Sequence, residues 1–277
     1  MTTSITSSAT QTIISAGGNP SALVIENGGI VSGIGKNKII NGNFAINQRG
    51  VSGTVTLAAG AYGHDRFKAG AAGCTYTFAT LENITTITIS AGSLIQVIEG
   101  LNLFSGNVVL SWEGTAQGKI GAGAYGNSGV TGTAVGGTDL AVEFNTGTLS
   151  LVQLETGSYK SAFEHRPYGM ELSLCQRYYE QSVQGNIFTG RADAVSFTNA
   201  AATGNISNEF KAVKRATPAV AVYAVTSGTV GMVRNVSTSV DVATATAYIG
   251  LNRFLCNTNS TTAISTLEFH WTASAEL

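Results

Sequence analysis

A histidine beside a carboxylate is the simplest pairing from which a chain can build acid–base or nucleophilic chemistry. The sequence has three histidines, and two of them sit in such pairings, His64-Asp65 and Glu164-His165-Arg166. Successive side chains of an extended chain point to opposite faces, so adjacency alone does not aim a carboxylate at the neighbouring imidazole. Asp65-Arg66 and Glu164-Arg166 read better as ion pairs at the start and end of a domain. His270 lies between Phe269 and Trp271, on the polar face of an alternating strand, and is expected to be exposed or at an interface. No HExxH, GxSxG or phosphate-loop pattern occurs. The 16 acidic residues show no recognisable pairing for glycoside cleavage, although distant carboxylates can converge in space. Cys74, Cys175 and Cys256 are odd in number and widely spaced, so they read as buried small thiols rather than a disulfide framework or metal knuckle. The expectation is a protein without catalysis and without a cofactor.

Composition narrows the partners. Acidic and basic residues nearly cancel, 16 against 15, which leaves no broad basic surface for nucleic acid and no basic cluster for an anionic membrane. Charged residues make up 11% of the chain, against about 25% in an average soluble domain. Obligate interfaces are poor in charge, so the depletion predicts a surface partly buried against identical subunits; a surface wetted by Ser, Thr, Asn and Gly is the alternative. No apolar run approaches the ~20 residues that span a bilayer. The opening MTTSITSSATQT lacks the basic and apolar regions of a signal peptide. Synthesis in a cytoplasm, without export by that route and without membrane insertion, is expected.

At 277 residues the chain can hold two domains. Residues 1–37 are rich in Ser, Thr and Gly, with apolar patches at Ile13-Ile14 and Leu23-Val24-Ile25 and a turn signal at Asn27-Gly28-Gly29. So small a segment cannot bury its own core; it reads as a leader, or a stem that orders by pairing with copies of itself. Residues 38–168 are all-β, with Tyr76 and Phe78, then Val108, Leu110 and Trp112, then Val142 and Phe144 sharing strand faces between glycine-rich turns. A sandwich or jelly roll follows from that pattern. The glycine-rich stretch from Gly114 to Thr138 reads as a long loop or loose hairpins.

Residues 169–185 hold the one helix candidate, running to about residue 182, with Pro167 before it, Glu171 near the positive end of its dipole and Gly185 after it. Met170, Leu172, Leu174, Cys175, Tyr178 and Tyr179 would sweep an arc of roughly 200°, with Ser173, Gln176, Arg177 and Glu180 opposite. So wide an arc predicts a helix wedged between two surfaces, either flanking domains or neighbouring subunits. Residues 186–277 return to β: Val240, Val242, Thr244, Thr246 and Tyr248 alternate, as do Leu267, Phe269 and Trp271. A second, smaller sandwich is expected there, with the basic residues Lys211, Lys214 and Arg215 just before one of its strands.

Four blocks resemble tail-fibre and receptor-binding proteins of tailed bacteriophages. Asn41-Gly-Asn-Phe44 through Gln48-Arg49-Gly50, with Asp65-Arg66-Phe67, looks like the opening of a carbohydrate-binding-type jelly roll. Val152-Gln-Leu-Glu155, Gly157 and Phe163-Glu-His-Arg-Pro-Tyr168 look like its closing strand and exit. Leu174-Cys-Gln-Arg-Tyr-Tyr-Glu180 resembles a linking helix, and Val213-Lys-Arg-Ala-Thr-Pro218 with Phe269-His-Trp-Thr-Ala-Ser-Ala-Glu-Leu277 a C-terminal head domain. The resemblance implies a homotrimeric fibre or short spike of the virion, made in the host bacterial cytoplasm, whose C-terminal part meets the bacterial surface. It implies docking onto another tail protein through the leader, or a place as the distal piece of a composite fibre.

A host glycan or protein receptor is the implied ligand. A glycan site needs flat aromatic rings and a few planar hydrogen-bonding groups. Tyr62, Trp112 and Tyr125 are the jelly-roll candidates; strict alternation places Trp112 in the core, whereas Tyr125 lies in a glycine-rich loop. In the head, Tyr223 is a further candidate, alternation favours packing for Tyr248 and Trp271, and the loops around Arg234-Asn235 and Asn252-Arg253 are candidates by position. Related jelly rolls often hold a structural calcium, and Asn41, Asn43 and Glu155 occupy comparable positions, although Ala45 stands where an acidic residue usually follows the Phe. The competing functions are a tailspike depolymerase that hydrolyses surface polysaccharide, and a purely structural tail or baseplate component.

Overall fold

The structure, a computed structural model, describes residues 12–15, 23–26, 35–183, 185, 188–190, 194–199, 204–258 and 265–277. It is all-β with one short helix, built on two eight-stranded antiparallel sheets and a two-stranded hairpin. The hairpin joins β1 (Thr12–Ser15) to β2 (Leu23–Glu26), placing Ile13 opposite Ile25 and Ile14 opposite Val24. These are the two apolar patches of the leader; the turn signal Asn27-Gly28-Gly29 lies outside the described residues. Among the described residues, no helix is long and apolar enough to cross a membrane.

The chain packs as two compact units, Met1–Phe44 with Thr56–Ala61 and Lys68–Arg166, and Ala45–Val55 with Tyr62–Phe67 and Pro167–Leu277. The join at Arg166–Pro167 lies beside the expected division at residue 168, and two earlier pieces belong to the second unit as well. Two pieces of the opening motif, with Gln48-Arg49 and Asp65-Arg66, pack with the C-terminal part because their partners are there, as described below.

The first sheet comprises β3 (Val55–Leu57), β4 (Lys68–Leu81), β5 (Ile84–Ile98), β6 (Gly106–Glu113), β7 (Gly118–Ile120), β8 (Val130–Ala134), β9 (Leu140–Phe144) and β10 (Gly147–Thr156). Glu82 and Asn83, both with positive φ, make the two-residue turn between β4 and β5, a geometry that matches the twist of a hairpin. Gly92, at φ 72°, lies so close to Gly73 that a Cβ would stand 2.0 Å from its carbonyl oxygen, so the two strands can pass only with glycine there. β10 begins against Ile87–Ile89 of β5 and, beyond Leu151 at φ 49°, continues against Val108–Ser111 of β6. It thus joins the β4-β5-β9-β7 ladder to the β6-β8 ladder. Trp112 of β6 and Phe144 of β9 meet edge to face at 5.2 Å across the interior. The stretch Gly114–Thr138, expected as a long loop or loose hairpins, carries two short strands, β7 and β8, ordered by main-chain pairing with β9 and β6.

The opening segment of this unit runs along its closing strand. Asn37 donates to Val152 and accepts from the Leu154 amide, both at 3.1 Å, and Glu164 accepts from the amides of Gly35 and Asn37. Glu164 and Arg166 form the expected ion pair at 3.6 Å. Burial raises the Glu164 carboxyl, but the amides of Asn37 and Gly35 and the Arg166 charge outweigh it and hold it below the usual range.

The second unit holds α1 (Tyr168–Gln176), β11 (Tyr179–Gln181), β12 (Val195–Asn199), β13 (Gly204–Glu209), β14 (Ala219–Ala224), β15 (Met232–Asn235), β16 (Val240–Ala247), β17 (Arg253–Thr258) and β18 (Ser265–Ser274). β18 is the central strand, with β11 and β12 along one edge and β14 and β15 along the other. Its Leu267, Phe269 and Trp271 enter the core as alternation predicts, where Phe210, Phe254 and Trp271 lie 5.5–5.8 Å apart. Full burial of each such ring contributes about 1.5–3 kcal/mol.

Three expectations fail here. The helix ends at Gln176 rather than near residue 182, and Tyr178 and Tyr179 belong to the turn and strand that follow. The apolar arc therefore does not exist: Met170 is 44% exposed, Leu172 and Leu174 are half-buried, and Glu171, Cys175 and Gln176 are the buried helical residues. His270 is buried, not exposed; its Nε2–H donates to the Gly190 carbonyl at 2.8 Å, and Nδ1 lies 3.3 Å from Ser182 Oγ. Tyr248 is 79% exposed: the inside–outside alternation of β16 holds only from Val242 to Thr246, Val240 at its start is 54% exposed, and Tyr248 turns the chain at φ 50°.

Candidate functional site

Two stacked cation–aromatic pairs lie at the heart of the second unit. The Arg66 guanidinium carbon sits 3.6 Å from the Tyr178 ring centroid, and that of Arg49 sits 3.7 Å from the Tyr179 centroid. Glu276 joins the two arginines, accepting from Arg49 Nη2 at 3.1 Å and from Arg66 Nη1. Asp65 stands 3.8 Å from Arg49 and accepts from the Gln48 amide and side chain, both at 2.7 Å. Asp65 and Arg66, expected to pair with each other, thus have Arg49 and Glu276 as partners. Two guanidinium groups against two carboxylates leave the cluster neutral, which is what lets it be buried. Burial, ahead of the neighbouring charges, pushes the Tyr62 and Tyr179 hydroxyls up to about 12, holds Asp65 above its ordinary value against Arg49 and Gln48, and lowers His64 to about 4.

Tyr62 belongs to this cluster: its hydroxyl donates to the Leu277 carbonyl, Arg49 lies 5.2 Å from its ring centroid, and the residue is half-buried. Tyr178 and Tyr179, expected at an oligomer contact, are buried in the same cluster.

The cluster also fixes a cleft. Gln48 Nε2 donates to the Tyr179 carbonyl at 2.9 Å; Gln181 donates to the Gln48 and Val183 carbonyls and accepts from the Tyr179 hydroxyl at 2.6 Å. These amides form part of the wall of a cleft of about 300 Å³, whose other walls are one side of α1 and Lys211. α1 contributes Tyr168, Leu172 and Gln176. Tyr168 is 63% exposed, and Gln176, at 6% exposure, has a side-chain amide with no hydrogen-bond partner among the described residues. The amide is not sealed from solvent, so a ligand hydroxyl there replaces water and gains about 0.5–1.5 kcal/mol. Lys211 is exposed at the cleft, while its backbone amide is held by both Glu180 oxygens at 3.0 and 3.1 Å. Behind it Lys214 is fully buried, 2.5 Å from Glu180, and its ammonium also caps the Gln176 carbonyl at the end of α1. Burial lowers the Lys214 ammonium, and Glu180 works against that shift.

No protein-family model matches the chain, and no curated protein matches it.

The other sequence candidates do not converge on this cleft. Tyr125, in the first unit, is 37% exposed with Lys119 4.9 Å from its ring, and Lys119 is paired with Glu143 at 2.8 Å. Burial raises the Tyr125 hydroxyl to about 12, helped by its hydrogen bond to Glu143. Glu143 also accepts from Ser93 at 2.6 Å, so the group around Tyr125 is largely satisfied within the chain. Arg234 pairs with Asp241 at 3.3 Å across β15 and β16, and Asn235 is buried, accepting from the Thr238 amide to shape the turn between them. Arg234 keeps part of its side chain at the surface, whereas Asn235 is enclosed. Asn252 and Arg253 are exposed, and Tyr223 stacks on Phe188 at 4.1 Å.

The implied calcium does not fit Glu155. Its oxygens accept from Gln153, from the Ser161 amide and from the Ser161 hydroxyl, and the Lys36 ammonium stands 3.9 Å away. A protein cation thus supplies the charge that calcium would bring, and the lone pairs are engaged. Asn41 is buried at φ 62°, and the Asn43 carbonyl accepts from the Thr85 amide, so both act in the fold of the opening turn.

Tyr168, Gln176 and Lys211 escaped the sequence reading. The available signal was Pro167-Tyr168, an aromatic ring at the first position of a helix, where one side of the residue faces away from the helix body.

Proposed function

We propose that the chain is a receptor-binding subunit of a bacteriophage tail, a homotrimeric fibre protein that attaches the virion to a host surface glycan without cleaving it. The ordered resemblance of four sequence blocks supports the phage reading, and the cleft supports the glycan. An exposed tyrosine ring and an unpartnered amide at the two ends of one helix side, about 12 Å apart by helix rise, suit an oligosaccharide: the ring covers an apolar sugar face and the amide takes a hydroxyl further along. That pairing, Tyr168 with Gln176, is the observation that carries the reading. Binding without cleavage fits a lining whose side chains offer amides, hydroxyls and one ammonium, whereas glycoside cleavage uses a pair of carboxylates. Three copies would add weak contacts through effective concentration, and the N-terminal segment would dock on another tail protein.

A glycan array probed with the intact protein tests this. Discrete saccharides should bind, Tyr168→Ala should weaken them about tenfold, and incubation should release no new reducing ends. Saccharides bound equally well by Tyr168→Ala would sink the assignment. For the oligomer, sedimentation should give three times the 28.5 kDa chain mass; a species of one chain at micromolar concentration would overturn the trimer.

A further inference from the structure

We infer that the saccharide received by this cleft carries an acidic group, a carboxylate or a phosphate, held by Lys211 while the ring stacks on Tyr168. This rests on the glycan reading above. Among the described residues lining the cleft, Lys211 is the one charged side chain and none is a carboxylate. The nearest acid to its backbone, Glu180, is already committed: one oxygen lies 2.5 Å from the buried Lys214 ammonium, and both accept from the Lys211 main-chain amide. Lys211 therefore has no ion pair among the described residues, while Lys214 and Glu180 cancel behind it. The cleft carries a net positive charge.

The remaining polar side chains sort in the same direction. Asn47 is closed on Val51 through both amide atoms, at 2.9 and 3.0 Å. Gln48 and Gln181 are spent on the buried cluster, and Ser182 bonds the Trp271 amide at 2.9 Å. Gln176 is the amide left over, and it sits in the wall formed by the same helix as Tyr168. A ligand then meets three groups that have no protein partner among the described residues: an aromatic face, one planar amide and one ammonium. A neutral sugar satisfies the first two. An acidic sugar satisfies all three, and an ammonium on a flexible stem, unlike a guanidinium fork, accepts either a carboxylate or a phosphate.

The test is an array on which each uronic-acid and sugar-phosphate oligosaccharide stands beside its neutral counterpart, probed with the intact protein and three variants. Acidic members should bind about tenfold more tightly than their neutral partners. Lys211→Ala should erase that preference with an unchanged melting temperature, since the side chain is exposed. Gln176→Leu should weaken acidic and neutral members alike. Whether the uronates or the phosphates respond to Lys211→Ala names the acid. Equal binding of acidic and neutral partners, lost in Tyr168→Ala, overturns the acidic inference and leaves the glycan reading standing, as does a preference that persists in Lys211→Ala. An array with no bound saccharide, or with binding unaffected by Tyr168→Ala and Gln176→Leu, overturns the cleft assignment and this inference together.

Discussion

Arg66, 1% exposed, lies flat against the ring of Tyr178 and is ion-paired with Glu276. Three distant stretches of sequence, the Asp65-Arg66 segment, the turn after α1 and the residues that follow β18, are joined by that one side chain. Removing one partner of a buried pair leaves the other charge uncompensated, a loss of about 3–5 kcal/mol. Arg66→Ala should therefore destabilise the second unit by that order in denaturant unfolding, and Arg66→Lys should recover little, because an ammonium cannot both stack and fork. Wild-type stability in Arg66→Ala would show that the cluster is ornamental.

His64 gives the second unit a pH dependence. Burial lowers its pKa from 6.5 to about 4, so between those values the unfolded chain binds a proton that the folded chain does not. Stability is then full above pH 6.5 and falls as pH drops toward 4, by at most ~3 kcal/mol. Asp65, raised by burial, works in the opposite sense above its ordinary 3.8. Comparison of wild type with His64→Gln isolates the histidine: the variant should lose the decline between pH 6.5 and 4, measured by urea midpoints. Identical pH profiles would contradict the assignment.

Period-two patterns were read correctly where one property dominated. Trp112 lies in the core, as its alternation with Val108 and Leu110 requires, and Leu267, Phe269 and Trp271 share the core of the second unit. The end of α1 was misread because Tyr178 and Tyr179 suit an apolar helical arc and a buried strand equally well. Pairing of Tyr179 with Ser274, and the stacking of both rings on arginines, decided for the strand. Glu180 and Gln176 were placed on a solvent face for the same reason, whereas Lys214, far along the chain, brings Glu180 inside. The cleft was illegible because its walls come from residues 45–48, α1, Gln181, Ser182, Val183, Gly185 and Lys211. No local spacing records that meeting.

The Lys214–Glu180 pair should behave as a coupled unit. Both side chains are fully buried, so Lys214→Met strands a carboxylate and Glu180→Gln strands an ammonium, each costing about 3–5 kcal/mol. The double variant should be more stable than either single one, giving a coupling energy of about 1–3 kcal/mol in a thermodynamic cycle. Additive losses would mean that the two groups are solvated independently.

The outer side of α1 provides the test of the trimer. Met170 is 44% exposed and Leu174 half-buried in the single chain, although both are apolar. An exposed methionine and a leucine four residues apart lie on one side of a helix, where a neighbouring copy would cover them. Leu174→Asp and Met170→Asp place a charge into that contact, and the cost of burying it without a partner falls on the assembly. Both variants should shift sedimentation toward the 28.5 kDa single chain, while near-ultraviolet circular dichroism of the Phe210, Phe254 and Trp271 core stays unchanged. A trimer that persists with the same melting temperature in both variants would move the subunit contact away from α1.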